Sequence, residues 1–314
     1  MVFNPLEKIP LIQVRNVTKR FGNNVVLDGI NLAVYPGKIF GLIGLNGSGK
    51  TTLLNLLVGF LKPEKGDVLF KSENVLKNRK AVEHEVGFAT QGNCFYPKLN
   101  VIENMHYFGA LYGLSKKEAD DRSETLLKLV NLLNAKKTLA EDLSSGMKRR
   151  LDVACSLIHD PSVLILDEPT EDLDPLLRRE MLRLIKKING YGTTIVITSH
   201  LLDEMEMVCD EIAILHNKTI IKKGTLDQLR TQKGEIHLAT NPGNYERLIM
   251  KLGKEGFNVK EKNNKLVVYT NKPEDTLLNV LRIIKSVDEE LVYVDVMKQP
   301  LAEIFEELTS QAYL

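Results

Sequence analysis

The sequence predicts an α/β protein in which a parallel sheet is covered by helices and a small α+β domain follows. Two observations carry this prediction. Apolar runs such as Val163–Leu166 and residues 194–197 alternate with helical patterns, as expected for buried parallel strands. From about residue 233 the order becomes strand-helix-strand-strand-helix-strand, which is ferredoxin-like. The expected domains are residues 1–232 and 233–314.

The first domain opens with β patterns and then contains a helical insertion. Residues 11–35 predict antiparallel strands that lead into the apolar run 39–43, and further strands are predicted at 66–70 and 86–90. Residues 101–133 are helical in pattern, and Ser115 with Glu118 forms a capping box at a break in that pattern. We therefore expect a helical subdomain over about 93–160. Further helices are predicted at 147–159, from Pro175, and at 201–208.

The second domain has its own complete pattern. Strands are predicted at 235–240, 257–261, 266–270 and 290–296, and helices at 245–253, 273–286 and from Leu301. Every motif with recognisable chemistry lies before this region. An accessory or regulatory role is therefore the expectation.

Composition excludes several classes of function. The chain has 314 residues, of which 43% are apolar and 26% are charged, with a net charge of +1. Mixed charges give no basic surface for nucleic acid, and no apolar run reaches membrane length. The start resembles no leader segment, so a cytoplasmic location is expected. The three cysteines are widely spaced, which suggests neither a zinc site nor a disulfide framework.

Residues 44–52 read Gly-Leu-Asn-Gly-Ser-Gly-Lys-Thr-Thr between an apolar strand and a helical pattern. In that context G-x-x-x-x-G-K-[ST] is a phosphate-binding loop, where backbone N–H groups and a helix N-terminus face the phosphates. Lys50 is expected to reach the β- and γ-phosphates and Thr51 to bind Mg²⁺. The flanking pattern disfavours a simple glycine-rich turn. The predicted nucleotide contacts in this loop are Asn46, Gly47, Ser48, Gly49, Lys50, Thr51 and Thr52.

Two strand ends add candidate catalytic side chains. Val163–Leu166 is followed by Asp167 and Glu168, and the strand at 194–197 is followed closely by His200. Asp167 is suited to hold Mg²⁺, and Glu168 to deprotonate the attacking water. His200 is expected to contact the γ-phosphate. The alternatives are a surface acidic pair and a structural histidine.

Further motifs resemble those of the ATP-binding subunits of ABC transporters, in particular the multidrug and antibiotic-resistance export ATPases. Residues 143–147, Leu-Ser-Ser-Gly-Met, stand where that family has its signature, and segments 95–104 and 301–309 resemble the exporter subgroup. The resemblance assigns Gln91 to the Q-loop as a nucleotide and metal contact, and Phe21 to adenine stacking. It also makes His200 the switch histidine and Asp174 the D-loop aspartate, and it implies three signature contacts to nucleotide: Ser144, Ser145 and Gly146.

The resemblance implies a P-loop NTPase core of ABC type with an antiparallel β subdomain and a helical insertion. It also implies ATP and Mg²⁺ as cofactors, and a second copy or a similar subunit that completes each site. A separate membrane permease would hold the protein at the inner face of the membrane, and no nucleic acid is expected as a partner. The sequence does not identify the exported substrate, because in this family the membrane partner selects it.

Two residues depart from the family pattern. Ser145 replaces a signature glycine, and Asp172 replaces a D-loop glycine. If Ser145 has a positive φ, its Cβ brings strain; alternatively its hydroxyl caps the following helix. These departures leave open a hydrolysis-impaired ATP-binding regulator. A soluble ABC-type switch without a permease is a separate alternative, and the single nucleotide-binding domain and the lack of a basic patch stand against it.

Overall fold

The computed structural model describes residues 9–230, 234–262, 264–270, 273–298 and 300–310. The chain forms two compact units that divide between Thr225 and Leu226. This division precedes the predicted boundary at 232/233 because a short helix, Leu226–Leu229, belongs to the second unit.

The first unit contains two sheets and seven α-helices among its described residues. The strands are β1 (Ile12–Phe21), β2 (Asn24–Val34), β3 (Ile39–Ile43), β4 (Lys65–Phe70), β5 (Glu73–Asn74), β6 (Val86–Ala89), β7 (Val163–Leu166), β8 (Thr194–Ser199), β9 (Glu211–His216) and β10 (Thr219–Thr225). The helices are α1 (Lys50–Leu57), α2 (Arg79–Glu85), α3 (Val101–Leu111), α4 (Lys116–Leu129), α5 (Ser145–Ser156), α6 (Pro175–Gly190) and α7 (Leu202–Val208).

The larger sheet carries the predicted site. Its order is β10-β9-β3-β8-β7-β6, in which β10 pairs antiparallel with β9 and the other pairs are parallel. Strands β3, β7 and β8 are buried along their whole length, which explains their continuous apolar sequences. Because parallel strands end at the same edge, the residues that follow β3, β6, β7 and β8 meet there.

An antiparallel sheet of order β2-β1-β4-β5 packs beside the larger sheet. Alternate residues of β1 are buried, as in Ile12 and Val14, and they share a core with Leu53, Leu54 and other residues of α1. The predicted antiparallel β subdomain is therefore present. Its core contact with α1 holds it against the phosphate loop.

The helical subdomain consists of α3, α4 and α5. Capping boxes begin α3 at Asn100 and Glu103 and begin α4 at Ser115 and Glu118. The second of these boxes is the one that the sequence predicts. Helix α5 starts earlier than the predicted Met147, because the Ser144 hydroxyl accepts a hydrogen bond from the Met147 N–H at 3.4 Å and caps the helix.

The second unit is ferredoxin-like. After α8 (Leu226–Leu229) its elements are β11 (Gly234–Asn241), α9 (Tyr245–Lys254), β12 (Asn258–Lys262), β13 (Lys265–Thr270), α10 (Pro273–Lys285), β14 (Glu290–Lys298) and α11 (Leu301–Ser310). The sheet order is β12-β13-β11-β14, with every pair antiparallel. Buried residues of β11 and β13, such as Ile236 and Val268, pack against apolar residues of α9 and α10. The predicted element order is confirmed throughout this unit.

Within the described ranges, no helix combines the length and apolar character that crossing a bilayer requires.

Candidate functional site

The phosphate loop between β3 and α1 has a backbone shape that larger residues would disturb. Gly49 has φ +106°, and a Cβ there would lie 2.9 Å from Leu27 Cδ2. A Cβ on Gly44 would lie 2.5 Å from Ser48 Oγ. That Ser48 hydroxyl is buried and has no hydrogen-bond partner among the described residues. A tight glycine turn with a buried free hydroxyl fits a loop that closes around phosphate oxygens.

Lys50, the first residue of α1, connects this loop to the end of β7. Its ammonium donates to the Gly44 carbonyl at 2.8 Å and lies 3.0 Å from Glu168 Oε1. Both charged side chains are buried, at 6% and 7% exposure. A buried ammonium needs a compensating anion, and here the Glu168 carboxylate supplies it.

The hydroxyl of Thr51 and the carboxylate of Asp167 form a ready oxygen-ligand pair. Thr51 Oγ1 donates to Asp167 Oδ2 at 2.7 Å, and Thr198 Oγ1 of β8 donates to Asp167 Oδ1 at 2.6 Å. The Thr198 hydroxyl also accepts from the Glu168 N–H at 2.9 Å. Hydroxyl and carboxylate oxygens are the ligands that Mg²⁺ prefers, so these residues fit that ion.

Glu168 lies between two nitrogen-bearing side chains. Its Oε1 faces Lys50, and its Oε2 lies 3.0 Å from Nδ1 of His200. The residue has φ 49°, a left-handed conformation that costs a non-glycine residue roughly 1–2 kcal/mol. Strain of this kind persists where surrounding contacts impose it, typically at functional sites. The carboxylate is therefore held in one direction.

Gln91 and Phe21 lie at the rim of this site. The Gln91 amide, after β6, donates to the Glu171 carboxylate at 2.5 Å. Phe21 ends β1 with half of its surface exposed, and the Lys19 ammonium lies 5.2 Å from its ring centroid. Phe21 pairs with Asn24 in a hairpin, and Val26 of that hairpin contacts the Gly49 position. The exposed ring is thus carried by the strands that flank the phosphate loop.

The signature segment differs from the sequence expectation in its backbone. Ser145 is the first residue of α5 and lies outside the left-handed region, and the capping hydroxyl belongs to Ser144. The predicted strain at Ser145 and the alternative of a Ser145 cap are therefore both wrong, because the helix begins one residue earlier than either requires. The side chains of Ser144 and Ser145 are exposed, and Gly146 is buried.

The second departure from the family pattern does carry a positive φ. Asp172 has φ 60° and an exposed side chain. A glycine would adopt this conformation without cost, which gives a physical reason for a glycine at this position. Asp174, two residues on, caps α6 by accepting from the Leu176 and Leu177 N–H groups at 2.9 and 3.0 Å.

Comparison with known proteins identifies the family of this chain. The family model described as ABC transporter matches residues 27–171. The linearmycin resistance ATP-binding protein LnrL of Bacillus subtilis (strain 168) is 34% identical over 224 residues, which cover 71% of this chain and 72% of LnrL. The daunorubicin resistance ATP-binding protein DrrA3 of Streptomyces coeruleorubidus is 31% identical over 301 residues, 95% of both chains. The chain belongs to the ABC transporter family.

Solved structures of ABC ATP-binding subunits have the same fold. One, described as the ATP-binding subunit of an ABC transporter, is 28% identical, with a TM-score of 0.64 over 71% of this chain and 92% of that one. Another, a dimeric ATP-binding cassette in a post-hydrolysis state with ADP and Pi, is 25% identical, with a TM-score of 0.62 over 68% of this chain and 98% of that one. The protein is accordingly an ABC ATPase that binds nucleotide and couples ATP hydrolysis to transport.

The ABC ATPase structure brings together the predicted residues that follow β3, β7 and β8. Lys50, Thr51, Asp167, Glu168 and His200 form one connected set through ion pairs and hydrogen bonds. Gln91 is engaged with Glu171, so its proposed metal contact requires that hydrogen bond to open. The signature residues lie at the start of α5.

Sequence reasoning missed Arg149 of α5. Its guanidinium is buried and donates to backbone carbonyls of Thr90, Gln91, Asp167, Glu168 and Pro169. An arginine in an arginine pair, Arg149-Arg150, gives no signal of its own in a single sequence. The orientation of α5 about its axis decides that Arg149 is buried and that Arg150 is more exposed, and a single sequence does not show this orientation.

Proposed function

We propose that this ABC ATPase powers export of a small molecule through a separate membrane permease, and that Glu168 is its general base. The observation that carries the catalytic part is the Glu168 carboxylate, held between Lys50 and His200 at 3.0 Å from each. The export part is supported by relatives named for antibiotic resistance and by the Nod factor export ATP-binding protein I of Cupriavidus metallidurans, 37% identical over 70% of this chain and 72% of that one.

In the proposed reaction, N–H groups of the phosphate loop bind the nucleotide phosphates, and Lys50 moves its contact from Glu168 to a phosphate oxygen. Glu168 then accepts a proton from the attacking water as the water oxygen bonds to the γ-phosphorus and the bond to the β-phosphate oxygen breaks. His200 contacts the γ-phosphate and Glu168 together. When bound, Mg²⁺ neutralises phosphate charge, with Thr51 and Asp167 as its proposed protein ligands and Gln91 joining them.

The same proposal requires two copies of the chain. The phosphate loop precedes α1, and the signature segment precedes and begins α5. Ser144 and Ser145 are exposed, and among the described residues neither side chain forms a hydrogen bond with the phosphate loop. A second copy that presents its α5 N-terminus to the phosphates would complete the site, since a helix N-terminus favours bound anions. The dimeric cassette among the similar structures supports this arrangement.

The permease is proposed to dock in an apolar groove of the first unit. The groove has a volume of about 460 Å³ and lies between the end of α1, β6 and α3. Phe60 and Leu111 line it with 67% and 63% of their surfaces exposed. Thr90 and Cys94, on either side of Gln91 in sequence, also line it. A permease segment in this groove would touch the Q-loop directly and hold the ATPase at the inner face of the membrane.

The first experiment measures ATP hydrolysis by the purified chain with and without Mg²⁺, for the wild type and for Glu168→Gln. Mg²⁺-dependent turnover that the substitution lowers at least about 100-fold, with ATP still bound, is the expected result. Glu180→Gln is the matched control, because Glu180 pairs with Arg150 on the helical subdomain and is expected to leave turnover unchanged. A wild-type protein that binds ATP without hydrolysing it would instead support the hydrolysis-impaired regulator.

The second experiment tests the transport partner. The chain is co-expressed with a candidate permease, a membrane protein of about six hydrophobic spans, and the complex is isolated from membranes. Phe60→Asp should abolish co-purification while leaving basal ATP hydrolysis in place, because it puts a charge into the apolar groove. Retention of the complex by this variant would exclude the groove as the docking surface.

A further inference from the structure

Arg149 is buried, with 7% of its surface exposed, yet among the described residues no Asp or Glu forms an ion pair with it. Its Nη1 donates to the Thr90 and Gln91 carbonyls at 2.8 and 3.3 Å. Its Nη2 donates to the Asp167 and Glu168 carbonyls at 3.3 and 2.6 Å, and its Nε donates to the Pro169 carbonyl at 3.1 Å. The Asp152 carboxylate on the same helix interacts with this charge electrostatically, but all five described hydrogen bonds of the guanidinium go to backbone carbonyls, so the guanidinium fixes the positions of those carbonyls.

These carbonyls come from two neighbouring strand ends. Thr90 and Gln91 follow β6, and Asp167 and Glu168 follow β7. One strand end provides the Q-loop glutamine, and the other provides the proposed metal ligand and base. The planar guanidinium therefore fixes the distance between two segments whose side chains act on the same nucleotide.

Glu168 is the residue that most needs such support. Its φ of 49° is unfavourable for a side chain with a Cβ, so neighbouring contacts must impose it. The Thr198 hydroxyl holds its N–H at 2.9 Å, and Arg149 holds its carbonyl at 2.6 Å. With both peptide groups fixed, the carboxylate points between Lys50 and His200.

The neighbouring Arg150 provides a contrast on the same helix. Its guanidinium is half-buried, pairs with Glu180 at 2.5 Å and reaches the Val130 carbonyl at 3.5 Å. It makes no described hydrogen bond to the segments after β6 or β7. Arg149 therefore contacts the proposed site, whereas Arg150 only connects α5 to α6 and to the end of α4.

We propose that Arg149 is a positioning residue for ATP hydrolysis, whose guanidinium sets the direction of the Glu168 carboxylate by holding the segments after β6 and β7 together. The inference rests on the proposed role of Glu168 as general base. It goes further by assigning a hydrolytic role to a residue that touches neither nucleotide nor water.

The test compares Arg149→Lys, Arg149→Ala and the control Arg150→Lys. Arg149→Lys keeps the charge but loses the planar fork, so kcat should fall about tenfold or more while KM and the directly titrated ATP Kd stay within about twofold. The kcat of Arg149→Ala should fall further. Millimolar guanidinium should restore part of this kcat, whereas methylammonium at the same ionic strength should not. A cavity of about 300 Å³ lined by Arg149, Gln91 and Glu171 gives the added ion a route. Arg150→Lys should keep kcat within about twofold.

Wild-type kcat in Arg149→Lys would overturn the inference. So would a loss of kcat matched by an equal loss of ATP affinity and of thermal stability, since that is the pattern of a purely structural residue. If Arg149→Ala does not fold, Arg149→Lys alone decides between these outcomes.

Glu168→Gln separates this inference from the proposed function. The double variant with Arg149→Lys should turn over no more slowly than Glu168→Gln alone, because both changes act on one group. Near-normal turnover in Glu168→Gln refutes the proposed base and this inference with it. A slow Glu168→Gln beside a wild-type Arg149→Lys refutes the inference alone.

Discussion

The ammonium of Lys50 lies 3.0 Å from the carboxylate of Glu168, so the phosphate loop and the end of β7 neutralise each other's charge. Both side chains are buried, which makes each the other's main counter-charge among the described residues. A phosphate that binds Lys50 must compete with this carboxylate. In the proposed reaction, nucleotide binding at Lys50 therefore also frees Glu168.

Glu168→Gln should bind ATP at least as tightly as the wild type, because the neutral amide no longer competes with phosphate for Lys50. Turnover should fall at least about 100-fold, and an ATP-bound dimer should accumulate. Calorimetric titration measures the affinity, and size-exclusion chromatography with Mg·ATP measures the dimer. Weaker ATP binding by a folded Glu168→Gln protein would contradict the competition between carboxylate and phosphate.

Lys50→Ala should weaken ATP binding about tenfold or more, since it removes a charged contact to phosphate. It also leaves the buried Glu168 carboxylate without the Lys50 cation. The free energy of unfolding should therefore fall by about 3–5 kcal/mol, and by less if His200 replaces Lys50 as the partner of this carboxylate. Titration and urea unfolding read the two effects separately. Lys38→Ala, which removes an exposed lysine paired with Asp210 at 3.6 Å, is the control and should change neither quantity.

Asp172→Gly and Ser145→Gly should change the free energy of unfolding in opposite directions. Asp172 has φ 60°, so glycine relieves strain there and should raise the free energy of unfolding by about 0.5–1 kcal/mol. Ser145 is helical, so glycine should lower the free energy of unfolding by about 0.5–1 kcal/mol and give no increase in turnover. Thermal unfolding and ATPase assays on both variants decide the matter. A faster Ser145→Gly enzyme would show that the serine side chain, not its backbone, slows the reaction.

Asp152 predicts a pH dependence of stability. Burial raises its pKa from 3.8 to about 6, although the Cys94 N–H donates to Oδ1 at 2.8 Å. The folded protein therefore binds this proton more tightly than the unfolded chain, and the contribution of Asp152 to stability falls as pH rises from about 4 to 6. Relative to the wild type, Asp152→Asn should gain up to about 3 kcal/mol in unfolding free energy between pH 4 and 7.

Urea unfolding of Asp152→Asn and wild type across this range is the measurement. Asp121→Asn, which changes an exposed carboxylate on α4, is the control. A difference between Asp152→Asn and wild type that does not change with pH would show that the pKa of Asp152 is not raised in the folded protein.

The second unit is proposed to fold separately and to regulate or position the dimer. Its core contains apolar residues of β11, β13, α9 and α10, and every proposed nucleotide-binding residue lies in the first unit, before Thr225. A chain shortened to end at Thr225 should therefore still bind ATP with unchanged affinity. Circular dichroism establishes that the shortened chain is folded, and titration measures its affinity. A folded chain that no longer binds ATP would refute the division of labour.

Much of this protein was accessible from sequence because its signals are local. The phosphate loop is one contiguous motif, and the ferredoxin-like order follows from the alternation of apolar residues and helical patterns. Helix α2 and strands β9 and β10 were not predicted, since short segments give weak periodicity. The backbone at Ser145 was assigned wrongly because a resemblance reports residue type and not φ. Arg149 was missed because its partners are carbonyls, which every residue possesses.

Helix α5 has two roles in the proposed dimer. Its N-terminus would face the phosphates bound by the other copy, while Arg149, one turn along, grips the segments that aim Glu168 in its own copy. A small rotation of α5 when it contacts the partner's nucleotide would therefore change the position of Glu168 in its own copy. Occupancy at one active centre would then set the readiness of the other, so hydrolysis should show positive cooperativity in ATP, with the helix acting as the lever between the two centres.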